Sequence, residues 1–293
     1  MPTRARWISL APALFVLLWS TGFIGAKLGL PYAEPLVFLA VRYALVLAAT
    51  SMVALVTRAR WPASWRAAGH IAVTGVLVHG VYLGGVFMAI HRGLPAGVAA
   101  LVVGMQPLLT ALGAGWLLDE RVTRRQWLGL ALGFAGVTLV VGNKVAAGTV
   151  ALAALPALLA PIVVALVGIT AGTLYQKRFC PRFELATGAV IQFAPTLLLT
   201  AIAAACTESL DIAWTGSFVF ALTWLVLVLS LGAITLLNLL IRSGSAVNVA
   251  SLFYLTPPTT ALVAWAMFGE TLTGLALIGM IVAVAGVWLA RRP

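Results

Sequence analysis

Long apolar runs, each closed by charged or turn-forming residues, recur ten times along the 293-residue chain. They cover approximately 8–30, 35–57, 68–90, 95–118, 125–142, 150–174, 185–206, 217–241, 246–268 and 272–290. Each is close to the roughly 20 residues that a helix needs to cross a hydrocarbon layer. Helices are the element expected of such runs, because a backbone amide in lipid must find its partner within its own segment. The pattern therefore predicts an all-α membrane protein with ten transmembrane helices. The first run follows Arg4 and Arg6 and contains Ala11-Pro12-Ala13, which resembles a signal-peptide cleavage site. It continues well beyond the roughly 7–15-residue core of a signal peptide and is read as a span.

Composition sharpens this reading. Hydrophobic residues make up 62% of the chain and charged residues only 9%, which leaves no surface for a sizeable soluble domain. The formal net charge of +11 suggests a nucleic-acid partner only until the charges are placed. With the N-terminus inside, the inner segments hold Arg4, Arg6, Arg58, Arg60, Arg66, Arg121, Arg124, Arg125, Lys177, Arg178, Arg182, Arg242, Arg291 and Arg292, and the outer segments hold Arg92 and Lys144. So uneven a split predicts both termini on the cytoplasmic side of the cytoplasmic membrane. The basic residues form no continuous stripe for nucleic acid. Two cysteines, Cys180 and Cys206, and three histidines, His70, His79 and His91, are too dispersed for a metal site, and no cofactor is expected. No phosphate-binding loop is present, and no nucleophile or acid–base constellation supports the alternative of a lipid-modifying membrane enzyme.

The chain also repeats itself. A shift of 150 residues lays 92–137 on 242–287 with fourteen identities in 46 positions, among them Arg92/Arg242, Pro107/Pro257, Thr110/Thr260, Glu120/Glu270, Thr123/Thr273, Gly129/Gly279 and Gly136/Gly286. Chance at this composition gives about one identity in ten. Two five-helix repeats, 1–143 and 144–293, follow, and an odd number of spans inverts the second copy. Inverted repeats are a common architecture of secondary transporters.

An ionisable group in mid-span is costly and marks a functional candidate. Lys27 lies near the outer end of the first span and Arg42 about two turns into the second. His79 sits mid-way along the third, with Tyr82 on the same face of an α-helix. Trp19, Ser20, Gln106, Tyr175, Gln192, Asn238, Asn248 and Tyr254 are the further polar or amphipathic candidates for a mostly apolar cavity. The expected cavity is lined mainly by spans 1, 3, 4, 6, 8 and 9. Pro107 and the pair Pro257 and Pro258 interrupt the fourth and ninth spans at equivalent positions and read as kinks that help gate it. No Asp or Glu lies at mid-span, which argues against proton coupling through a membrane carboxylate.

Several of these segments resemble a known family. Trp19-Ser20-Thr21-Gly22-Phe23-Ile24-Gly25-Ala26-Lys27, followed by Pro35, Phe38 and Arg42, looks like the first two spans of the EamA-like branch of the drug/metabolite transporter superfamily. Pro107, Glu120, Thr123, Gly129, Gly136 and Val137, with Pro257, Gly269, Glu270, Thr273, Gly279, Gly286 and Val287, match its repeated signature. Asp119 replaces the expected Gly, and the second half lacks a clear copy of the first span's Trp and Lys. The resemblance implies export of amino acids or related metabolites, most similarly to bacterial amino-acid and aromatic amino-acid exporters. Drug or sugar-phosphate transport is the alternative within the superfamily. The implied partners are a small-molecule substrate and the bilayer, with no obligate protein partner.

Overall fold

A computed structural model of the chain describes residues 2–94, 96–118, 122–145, 155–180, 182–243, 245–268 and 274–291. Asp119, Glu120, Arg121, Gly269, Glu270 and Thr273, which carry part of the repeat signature, lie outside the described residues, as does the start of the predicted sixth span. The described chain is helical, with one isolated β-bridge between Ala33 and Ile212. Its α-helices are α1 (Pro2–Gly29), α2 (Pro35–Val56), α3 (Trp65–Gly75), α4 (Gly84–His91), α5 (Ala96–Val103), α6 (Gln106–Leu117), α7 (Arg124–Val145), α8 (Leu155–Phe179), α9 (Leu185–Thr207), α10 (Gly216–Trp224), α11 (Ile234–Ser243), α12 (Ala246–Ser251), α13 (Thr256–Phe268) and α14 (Gly274–Arg291). Among the described residues, six helical stretches are long and apolar enough to cross a membrane: Leu10–Tyr32, Pro35–Val56, Trp65–His91, Leu159–Phe179, Leu185–Thr207 and Gly216–Ser243.

Two of these stretches contain π-helical turns. Val76–Leu83 joins α3 to α4, and Leu225–Ala233 joins α10 to α11. The two segments fall at the same place once one half is shifted by the 150 residues of the sequence repeat. The other paired interruption is at the prolines. Helix α5 stops at Val103 and α6 restarts at Gln106, while a 3-10 turn over Leu252–Leu255 separates α12 from α13. The sequence reading placed Pro107, Pro257 and Pro258 inside kinked helices. They instead open new ones, where a missing N–H costs no helical hydrogen bond.

Helix starts are capped as their residues dictate. Ser64, Thr215 and Ser245 accept from Ala67, Phe218 and Asn248 backbone amides at 3.2, 3.2 and 3.1 Å. Helix α2 begins on Pro35 and is capped from elsewhere in the chain. The Glu208 carboxylate accepts from the Leu36 and Val37 amides at 2.8 and 3.0 Å, a charge at the positive end of the helix dipole.

Helices α7 and α14 meet backbone to backbone through glycines. A Cβ on Gly129 would stand 2.6 Å from Gly286 O, and one on Gly136 would stand 2.5 Å from Gly279 O. Higher numbers on α7 meet lower numbers on α14, so the two helices run antiparallel. Gly129 and Gly279, and Gly136 and Gly286, are equivalent in the sequence repeat, so the two contacts exchange under the 150-residue shift. The aromatic core of the molecule lies between α1, α2 and the two π-helical stretches, around Phe15, Trp19, Phe38, Tyr43, Phe87, Phe218 and Phe253. Large apolar side chains such as Leu55, Val56 and Ile281 point outward, as a lipid-facing surface requires.

Candidate functional site

A pocket opens at this aromatic core. Trp19, Gly22 and Phe23 of α1, Arg42 of α2, Tyr82, Leu83, Val86 and Phe87 of the third span, and Leu229 and Ile234 of the eighth line it. The space clear of its walls is about 30 Å³, so the walls stand close together in this conformation and must part to admit a metabolite. Its wall is apolar except for Arg42, the Tyr82 hydroxyl and the Trp19 indole N–H beside that hydroxyl. Trp19 and Tyr82 lie nearly parallel, with ring centroids 6.2 Å apart and planes 8° from one another. Phe253 meets Trp19 edge-on at 5.3 Å and holds it from behind.

Arg42 is the eighth residue of α2, roughly 10 Å from its start. It is 3% exposed, and its Nε donates to Ser230 Oγ at 3.0 Å. It does not pair with Glu34, the nearest acidic residue in the sequence. Glu34 instead faces His91, with Oε2 3.2 Å from Nε2, at the start of α2 and the end of α4.

The other candidates sort by position. Trp19 and Tyr82 are on the pocket wall, but Lys27 is exposed on α1 and takes no part in it. His79 also lies off the wall. Its ring stacks on Phe193 at 4.2 Å and 15°, between α2 and α9, and its carbonyl accepts from the Tyr43 hydroxyl at 2.6 Å. The Gln192 side chain approaches it, yet Gln192 Oε1 and both imidazole nitrogens lack a partner at hydrogen-bonding geometry. The cause is the π-helical segment. Residues three apart sit roughly 60° apart around an α-helix, and the wider turn spreads them to roughly 100°. His79 and Tyr82 therefore face different neighbours.

Ser20 ties α1 to α13: its hydroxyl is 2.6 Å from Val16 O and 3.3 Å from Thr256 O, and its own carbonyl accepts from Thr260 at 3.1 Å. Gln106 Nε2 reaches Thr173 Oγ1 at 3.4 Å, and Asn238 Oδ1 accepts from Gln176 Nε2 at 2.9 Å, so both join α8 to its neighbours. Tyr175 shares a 2.6 Å hydrogen bond with His70 Nδ1 midway along α3, and neither lines the pocket. Asn248 Oδ1 and the Tyr254 hydroxyl are buried without partners, the latter on a ring packed against Gly133. The pocket thus gathers spans 1, 2, 3 and 8, and the predicted contributions of spans 4, 6 and 9 lie beside it. Ser230, Phe23 and Leu229 were missed by sequence reasoning. Only Ser230, a hydroxyl alone in an apolar run, carried any signal.

A buried pocket of this kind within a bundle of membrane-crossing helices is the arrangement of a multi-pass transporter, and comparison with known proteins agrees. The model of the EamA-like transporter family matches residues 5–142 and again 151–292, and the chain belongs to that family. It is 28% identical over 287 residues to a probable amino-acid metabolite efflux pump of Salmonella typhimurium, covering 94% of this chain and 92% of that one. It is 27% identical over 279 residues to the uncharacterized inner membrane transporter YedA of Escherichia coli, covering 94% and 89%. It is 27% identical over 283 residues to the uncharacterized transporter YvbV of Bacillus subtilis, covering 95% and 90%. A protein of known crystal structure shares the fold, with a TM-score of 0.78 over 96% of this chain and 95% of that one at 22% identity.

Proposed function

We propose that the chain is a secondary transporter that exports amino acids and related small metabolites across the cytoplasmic membrane. In this reading ten spans form two inverted repeats, 1–143 and 144–293, which rock about the pocket to open it to one side and then the other. The observation that carries it is the antiparallel meeting of α7 and α14 through glycines that exchange under the repeat. A pair of halves related in that way by a two-fold axis in the membrane plane interconverts two equivalent open states. The matched π-helical segments and the matched breaks before Pro107 and Pro257 support the same relation. The family model's two matches, of similar length, support the boundary near 143. The Salmonella relative, a probable amino-acid metabolite efflux pump, supports the substrate class.

Transport is uniport-like here, since the described acidic residues, Glu34, Glu184, Glu208 and Asp211, flank the helices instead of entering the spans. The test is counterflow in liposomes holding only this protein. Flux above empty vesicles is expected for at least one amino acid, and flux equal to empty vesicles for all of them would overturn the substrate class. An imposed pH gradient alone is expected to drive no accumulation, and accumulation under that gradient would replace uniport with proton coupling.

A further inference from the structure

The pocket contains a charge that the protein itself does not balance. Arg42 is buried in the wall, and the hydrogen bond from Nε to Ser230 uses one side of its guanidinium. No protein acceptor among the described residues meets its two terminal nitrogens. Its nearest titratable neighbours are Tyr43 and Tyr82, both neutral phenols. The described carboxylates are placed elsewhere: Glu34 faces His91, Glu208 caps α2, and Glu184 and Asp211 flank α9. A cation held in an apolar wall without a counter-charge is unfavourable until an anion arrives. The planar fork of an arginine suits a carboxylate, which it grips through two parallel N–H donors.

The remainder of the wall states what else the ligand carries. Trp19, Phe23, Val86, Phe87 and Leu229 offer apolar and aromatic surface, and no described carboxylate stands among them to receive an ammonium group. A zwitterionic amino acid would bring its ammonium into this wall with no carboxylate to meet it, only the Tyr82 hydroxyl and the ring faces of Trp19, Phe23 and Phe87. A doubly charged phosphate ester would leave one of its charges unmatched within the wall, because Lys27, one turn beyond Phe23 on α1, is exposed and does not line the pocket.

We infer that the pocket recognises hydrophobic monocarboxylates through Arg42, and that an aromatic carboxylic acid lacking the amino group is a better ligand than the matching amino acid. This rests on the transporter reading and narrows its substrate class.

Binding in detergent tests it without requiring flux. Titration by calorimetry at neutral pH compares 3-phenylpropanoate, phenylalanine, phenylalanine amide and glucose 6-phosphate on the purified full chain. Binding is chosen over flux because the protonated acid crosses lipid unaided. The expected order is 3-phenylpropanoate tightest, phenylalanine weaker by about tenfold or more, and the amide and the phosphate ester without measurable binding. Arg42→Gln is expected to abolish 3-phenylpropanoate binding, whereas Arg42→Lys retains part of it. Without ligand, Arg42→Gln is expected to melt no lower than the parent, since it removes an unbalanced buried charge. Phenylalanine or its amide binding as tightly as 3-phenylpropanoate would overturn the inference, as would retained affinity in a folded Arg42→Gln variant. If that variant does not fold, the ligand series on the unaltered protein decides alone. A failed ligand series leaves the counterflow result for amino acids standing, and absent flux leaves the ligand series interpretable.

Discussion

His79 and Arg42 are both ionisable residues in mid-span, and their surroundings give them opposite roles. Both imidazole nitrogens of His79 are buried without partners, and the ring contributes through its stack on Phe193. Leaving a buried polar atom unsatisfied costs about 1–3 kcal/mol, whereas an apolar ring of similar shape removes that cost. His79→Phe is therefore expected to raise the melting temperature in detergent while transport persists. A lower melting point together with lost flux would give the imidazole a working role. Glu208 makes a second residue-scale case. Glu208→Gln removes the charge that caps α2 and is expected to cost about 0.5–1 kcal/mol, read as a lower melting point that the parent loses in high salt. Arg42, Trp19 and Tyr82 were legible in the sequence because a charge or an amphipathic ring is anomalous inside an apolar run. Their partners Ser230, Phe23 and Leu229 were not, because apolar side chains on the pocket wall and on the lipid face look alike when nothing marks the phase of the helix.

That phase is lost at the scale of the element. The apolar runs announced each helix, but nothing in the sequence announces the π-helical turns at Val76–Leu83 and Leu225–Ala233. Every face assignment made across them with a 3.6-residue period goes astray. Glycines show the same limit. Gly84 and Gly85 are neighbours in the sequence, yet a Cβ on Gly84 meets nothing within 4 Å, while one on Gly85 collides with the Pro161 carbonyl oxygen and Ala165 of α8. Gly84→Ala is thus expected to be neutral or to stabilise by up to about 1 kcal/mol through helix propensity. Gly85→Ala forces α4 and α8 apart and is expected to lower folded yield and melting temperature clearly. Fluorescence-detected size exclusion of the two variants side by side reads the difference, and equal behaviour would show that α4 and α8 are not held as closely as described.

Across the whole molecule, the uneven charge distribution of the sequence becomes two distinct faces. On one, Thr187 Oγ1 donates to Arg60 O at 2.8 Å, Lys177 Nζ donates to Ile241 O at 3.0 Å, and Arg242 donates to Phe183 O and lies over the Phe183 ring. On the other, Ala33 pairs with Ile212, Glu208 caps α2, and His91 meets Glu34. The first face carries Arg60, Lys177 and Arg242, which the sequence reading assigned to the inside, and the positive-inside rule makes its cytoplasmic placement the expectation to test. The two cysteines lie at opposite faces and report this directly. Cys206, exposed near the end of α9, belongs with Glu208, whereas Cys180 is buried just past α8 beside Lys177. Burial also pushes the Cys180 thiol up from its ordinary range, opposed in part by the Thr74 hydroxyl, so its thiolate is scarce at neutral pH. A membrane-impermeant maleimide applied to spheroplasts is therefore expected to label Cys206 quickly and Cys180 hardly at all, with Cys180 labelling appearing on denaturation and quickening as pH rises. Ser209→Cys in a Cys206→Ser background, an exposed position beyond the helix, is expected to label from the same side. Labelling of both positions in inverted vesicles alone would turn the molecule over in the membrane and reverse the direction in which its pocket is loaded.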